Sequence, residues 1–202
     1  MIIAMDMNIH HLVQDISRLH HAKIPIWQAA EIEITQVGLL KHVEENHAFN
    51  FQLWHAEDRA RREDMGHSFV YAAKRAIDSF NQQRNNCMEA IDAWLANAIT
   101  LSTAEDCPVH SETPGMIIDR LSILSLKSHY MAVQTMRPDV DETHHHLCQQ
   151  KLHILRAQHQ QLTGCLQDLL QDLSQQTRTF RRYHQFKMYN DPTLNPELYT
   201  ER

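Results

Sequence analysis

Only four glycines and six prolines occur in 202 residues, and that scarcity constrains the fold more than any short motif. These two residues stop helices and shape tight turns, so a chain poor in both has few places to break. Gln, Leu, Ala, Glu and Arg are plentiful and β-branched runs are few. The expected class is all-α: a single-domain helical bundle of about five to seven helices, mostly antiparallel and up-and-down, with short connections. The length suffices for one domain with a real core, and nothing in it demands two.

The breaks divide the chain into segments. Leu12, Ile16 and Leu19 mark a first helix within 1–22, ending before Pro25, which suits the first turn of the next helix. Residues 26–101 read as a long helical hairpin turning near Gly66, its first arm carrying Ile34, Val37, Leu40, Val43, Phe51 and Trp54. Gly38 and Asn46 are the places where that arm could be interrupted. The longest loop runs over 102–113. Thr113-Pro114-Gly115 then opens a helix over 113–133, with Thr113 as N-cap and Pro114 at the first position. Its body is apolar nearly all round, as expected of a central buried helix. Residues 141–176 read as a long helix, a natural element for homo-oligomer assembly. The aromatic-basic segment 179–188 is expected to dock as a terminal helix, and 190–202 forms a tail.

Net charge is −6 with His neutral, which weighs against a general nucleic-acid or anionic-membrane binder and leaves room for a small anionic ligand. Cys87, Cys107, Cys148 and Cys165 are far apart and form no CxxC pair, which suits a reducing compartment. No apolar run approaches a membrane span, and the first residues lack a basic n-region and an h-region. A cytoplasmic location is therefore expected. The 16 histidines include the run 144–146, yet no HExxH or closed zinc pattern accompanies them.

At about 100° per residue, Lys74, Asp78, Asn81, Asn85, Glu89 and Asp92 fall on one strip of the second hairpin arm. On the first arm His47, Asn50, Trp54, Asp58 and Arg61 share a strip, with Glu57 at its margin. Asp58 and Lys74 each lie eight residues from Gly66, so a tight turn sets them at similar height. These strips are either solvated faces or a polar layer between the arms; if buried, the layer is a salt-bridged network or a site. The central helix adds Asp119, Arg120 and Lys127, whose available partners are the hairpin carboxylates.

Two chemistries suit these residues. Glu57, Asp58, Glu89 and Asp92 could hold Mg²⁺ through carboxylate oxygens, as acidic pairs do in all-α nucleotide pyrophosphohydrolases. Against this, the usual ExxE motif is missing, and Glu89 and Asp92 lie far from the turn while Glu57 and Asp58 lie near it. Alternatively, the helix start at Thr113 and Gly115, with its free N–H groups, could bind an anion. Lys74, Arg120 and Lys127 would supply countercharge, Asp58, Asp78 and Asp119 would orient those cations or handle protons, and Trp54, Arg61, Asn81 and Asn85 would complete the pocket.

Four ordered blocks, NFQLWHAEDRAR (50–61), KRAIDSFNQQRN (74–85), ETPGMIIDRLSILSLK (112–127) and YHQFKMYNDPTLNPELY (183–199), resemble the bacterial domain-of-unknown-function family numbered 4254. The resemblance implies an association with envelope-polysaccharide metabolism. The leading expectation is thus a protein that binds or processes a sugar phosphate or nucleotide sugar. The alternatives are a non-catalytic scaffold whose polar core is structural and the Mg²⁺-dependent hydrolase.

Overall fold

The computed structural model describes residues 8–184, 186, 188 and 191–198. The described residues form five α-helices: α1 (Ile9–Ala29), α2 (Gly38–Ala60), α3 (His67–Ala98), α4 (Pro114–Gln134) and α5 (Glu142–Ser174). The fold is an all-α bundle of two helical hairpins, α2–α3 and α4–α5, with α1 laid across α2, α4 and α5. α4 packs against each of the other four helices. No described helix is long and apolar enough to cross a membrane.

The first helix runs past the expected stop, with Pro25 inside it. Its buried positions Val13, Ile16, His20, Ile24 and Trp27 recur every three or four residues and form one unbroken inner stripe. Ile24 and Trp27 pack with Ala48, Phe51 and Leu126 in a core cluster. Their burial outweighs the hydrogen bond and fit that an internal proline forfeits, roughly 3 kcal/mol.

Residues 30–37, expected to continue a helix from Trp27, are instead an irregular strap that ends at Gly38, one of the two expected interruption points, where α2 starts with φ +59°. Glu44, fully buried, holds the strap from α2. Its Oε2 accepts from the backbone N–H of Thr35 at 2.9 Å and of Gln36 at 2.8 Å, and its Oε1 pairs with Lys23 of α1. Burial alone would raise its pKa, but the Lys23 bond and these two donors bring it below the ordinary value. The turn between α2 and α3 passes through a 3₁₀ turn, Glu63–Met65, and Gly66 at φ +85°, a conformation that favours glycine.

Beyond α5 the expected terminal helix does not form. Thr179–Phe180 is a strand, β2, paired in parallel with β1 (Val109–His110) in the α3–α4 loop. Phe180 is buried in the main core, whereas Tyr183 and Phe186 are exposed; Tyr189 lies outside the described residues. A short buried contact therefore ends the bundle, not an amphipathic face.

α4 begins as expected, with Thr113 as N-cap accepting from the N–H of Met116 at 3.2 Å and Pro114 in the first turn. Gly115 is buried, and a Cβ there would stand 2.5 Å from the Met88 carbonyl oxygen and 2.9 Å from Asp92 Oδ1 of α3. Gly164, exposed within α5, would meet nothing within 4 Å. Gly115→Ala should therefore destabilise the protein by roughly 1–3 kcal/mol through overpacking, and Gly164→Ala should stabilise it by roughly 0.5–1 kcal/mol through chain entropy. Urea unfolding of the two variants gives both signs.

Candidate functional site

The polar residues of α2 divide between two destinations, one inside the bundle and one at its surface. Asn46, His47 and Asn50 point inward and are buried. The Nδ2 groups of Asn46 and Asn50 donate to Asp119 Oδ1 of α4 at 3.0 and 2.9 Å. Arg84 of α3 brings its Nε to the same oxygen at 2.9 Å; the approach is off the N–H axis, so the contact is ionic. Asp119 is 3% exposed, and burying a carboxylate is costly unless it is paired and hydrogen-bonded. Here two amides and a guanidinium share that task.

The seam continues along α4. Asn50 Nδ2 donates to Ser122 Oγ at 3.0 Å, and Ser122 Oγ is 2.7 Å from His47 Nδ1. The His47 ring lies 4.7 Å from that of His20 and 5.3 Å from Trp27 of α1. His20 is fully buried, and its two ring nitrogens, like His47 Nε2 and Trp27 Nε1, have no hydrogen-bond partner among the described residues. Burial pushes the His20 pKa well below its ordinary value, helped by the His47, His159 and His21 rings. Burial also drives His47 down to about 3.

Farther along α2, Trp54, Glu57, Asp58 and Arg61 line a surface groove with Asn81 and Arg84 of α3, closed on the α4 side by Ile123 and Leu126. Its volume is about 340 Å³. Arg61 pairs with Glu57 at 2.9 Å, and Lys74 approaches Glu57 only to 4.0 Å from an exposed position. Trp54 stacks on Tyr130 of α4, centroids 4.7 Å apart and planes 9° apart, and the Tyr130 hydroxyl is 3.0 Å from His55 Nε2.

Two further grooves adjoin this one. Between α4 and α5, Arg120, Ile123 and Lys127 line a cleft of about 650 Å³ with Gln158 and Gln161. Trp54, Lys127, Tyr130 and Met131 line another, of about 500 Å³, with Lys151 and Ile154 of α5.

The structure thus gathers part of the expected set. Trp54, Glu57, Asp58, Arg61 and Asn81 share the first groove, while Asp119 anchors its Arg84 from behind. Asp78 faces solvent beside Arg75, and Asn85 is half-buried on α3 without lining the groove. Arg120 and Lys127 share a face, but Arg120 pairs with Glu112 at 2.7 Å instead of a hairpin carboxylate. The four carboxylates do not meet: Glu89 lies 3.0 Å from His184, and Asp92 accepts from the Gly115 N–H at 2.7 Å. Among the described residues, no three His, Cys, Asp or Glu side chains group as metal ligands.

Asp92 also changes the reading of the α4 start. The anion expected at Thr113-Pro114-Gly115 is the protein's own carboxylate, which leaves Thr113 and Gly115 as structural residues. Burial raises the Asp92 pKa to about 6, against the pull of its bonds to Thr113 and Gly115. Sequence reasoning misses Arg84 and Ser122 and takes Asn46 only for a possible helix break, whereas α2 runs through it unbroken. Their signals were present: Asn46 and Asn50 repeat on α2 the four-residue asparagine spacing of Asn81 and Asn85, and Arg84 and Ser122 sit within the blocks at 74–85 and 112–127.

The blocks at 50–61, 74–85 and 112–127 fall inside one family match, and the block at 183–199 lies beyond it. The sequence profile described as Protein of unknown function (DUF4254) aligns with residues 40–182. The chain belongs to this family. No match was found among curated proteins or among solved structures. The DUF4254 region spans all three grooves and the Asp119 seam, and it leaves out α1, which supplies His20, Lys23 and Trp27.

Two experiments separate framework from surface in this DUF4254 chain. Asp119→Ala should cost roughly 3–5 kcal/mol, because Arg84 and two amides lose their buried partner. Lys74→Ala and Asp78→Ala, at exposed positions, should change stability by no more than about 0.5 kcal/mol. Chemical denaturation followed by circular dichroism measures all three.

The histidine cluster predicts an acid response. A group whose folded pKa is depressed contributes stability that is present above its ordinary pKa, near 6.5, and lost as pH falls. His47 should therefore destabilise the fold progressively from about pH 6.5 towards 3, and His20, also depressed, should add to the loss as pH falls below its ordinary pKa. Asp92 acts in the opposite sense, losing stability as pH rises through about 6, so the comparison needs a variant. His20→Phe should flatten the fall in melting temperature over the acid range; an unchanged slope would contradict the assignment.

Proposed function

We propose that the groove between α2, α3 and α4 binds a small phosphorylated saccharide, of the sugar phosphate or nucleotide sugar class. The observation that carries this reading is Arg84. Asp119 holds its Nε from inside the bundle, and Asn81 Oδ1 accepts from its Nη1 at 3.4 Å. Nη2 has no such bond among the described residues. A guanidinium fixed from behind by a buried carboxylate is preorganised for a phosphate, because little of its side-chain freedom remains to be lost on binding. Its neighbours complement the rest of such a ligand: Trp54 offers an aromatic wall, Glu57 and Asp58 accept from sugar hydroxyls, and Asn81 can donate or accept.

Arg61, at the groove margin, adds a second cation, so in this reading Arg61 and Arg84 take the phosphate-binding role that the sequence suggests for Lys74, Arg120 and Lys127. Asp119 then acts as the positioning residue for Arg84. The envelope-saccharide association implied by the family resemblance agrees with this ligand class.

Thermal unfolding of the purified protein with glucose, glucose 1-phosphate and UDP-glucose tests the proposal. Ligand at about 100 times its Kd stabilises by about 2.7 kcal/mol, a rise of roughly 5–10 °C for a chain of this size. A phosphorylated sugar should give that rise, with loss of the shift in Arg61→Ala and Asn81→Ala variants that remain folded. No shift with either phosphorylated probe, or a full shift in both variants, would overturn the reading.

A further inference from the structure

We propose that the groove between α4 and α5 beside Trp54 is a second binding site, for the phosphate monoester of a single hydrocarbon chain. Its lining is chiefly apolar: Trp54, Tyr130, Met131 and Ile154, with Lys127 and Lys151 as its only charged groups. Ile154 is 54% exposed, so this wall is left facing water, a cost that an apolar ligand would relieve. About 500 Å³ lies in the range of small-molecule pockets, roughly 300–1,000 Å³.

The two lysines define the polar end of the ligand. Every other cation lining the three adjoining grooves is paired with a carboxylate: Arg61 with Glu57, Arg84 with Asp119 and Arg120 with Glu112. Lys127 and Lys151 have no ion pair among the described residues. Two unpaired ammonium groups on one apolar groove match a phosphate dianion better than a carboxylate, which carries a single charge. They also disfavour a second copy of the chain here, because a two-fold contact through this face would bring the lysines of the two copies together without a countercharge.

This site differs from the polar groove in ligand and in residues, sharing only the Trp54 wall. Trp54 provides the readout: tryptophan emission is followed while dodecyl phosphate is added below its aggregation concentration, with dodecanol and dodecanoate in parallel. Dodecyl phosphate should give a saturable change that disappears in Trp54→Phe. Its affinity should exceed that of dodecanol and dodecanoate at least tenfold. The Lys127→Gln, Lys151→Gln double variant should weaken it at least tenfold, and Ile154→Asp should weaken all three ligands. Since exposed lysines rarely decide folding, circular dichroism of the double variant confirms that it is native. Absence of saturable binding, equal affinity for dodecanol, or full affinity in the double variant would overturn the site. Equal affinity for dodecanoate would overturn the assignment to a dianion. Failure of the sugar phosphates to bind leaves this titration unaffected, and failure here leaves the polar groove standing.

Discussion

The buried carboxylate of Asp119 is the constraint around which the bundle is ordered. Apolar clusters supply most of the driving force, with Val13, Ile16, Ile91, Leu95, Ile117, Leu121, Leu166 and Leu170 in the largest. Hydrophobic burial is non-directional, however, and tolerates small slips of one helix along another. A buried ion does not. Asp119 Oδ1 is stabilised only while Asn46 and Asn50 present their amides from successive turns of α2 and Arg84 reaches it from α3. One oxygen thereby fixes α2, α3 and α4 together. Ser122, one turn farther along α4, carries the seam to His47, whose ring meets His20 of α1.

The same arrangement explains why a groove sits where it does. Arg84 enters the seam from the side, with 27% of its side chain still accessible, so the back of the groove is a charge pair tied to the core. Trp54, the opposite wall, is braced by Tyr130 of α4, itself bonded to His55. Rigid neighbours therefore hold the groove on both sides. α5 packs along α4 without covering the face that carries Ile123 and Lys127, and that uncovered strip joins the three grooves.

Sequence periodicity and the glycines reveal the helices and where two of them begin, but not what prolongs α1 or what fills the gap before α2. The helix class, the turn at Gly66 and the Thr113 cap follow from local chemistry, which a single sequence displays. Pro25 inside α1 does not, because only the burial of Ile24 and Trp27 against α2 and α4 justifies it. Gly38 signals where the strap at 30–37 ends, but its path is hidden for a similar reason: its anchor, Glu44, looks like an ordinary helix-face glutamate until Lys23 and the Thr35 and Gln36 amides are brought to it. The polar strips were legible as strips. Their division was not, since a helical projection shows which residues share a face and cannot show that Asn50 turns towards α4 while Asp58, two turns later, faces solvent. Asn46 and Asn50, four residues apart like Asn81 and Asn85, are the pair whose amides meet the buried carboxylate.

Two ties between α3 and α4 account for arginine at position 84. At the start of α4, Asp92 clamps the Gly115 amide, and only a glycine lets the Met88 carbonyl approach so closely. Four residues on, Asp119 meets Arg84, which lies eight residues back along α3. At 1.5 Å per residue these steps are about 6 Å along α4 and about 12 Å along α3. The mismatch of about 6 Å is taken up by helix inclination and by a long side chain. A guanidinium can span that gap, keep one nitrogen on the carboxylate and still offer further N–H groups to Asn81 and the groove; a lysine would bring a single point of charge. The residue that closes the mismatch between the helices is thus also the one that presents donors at the surface, so the packing of α3 against α4 and the chemistry of the groove are set by one side chain.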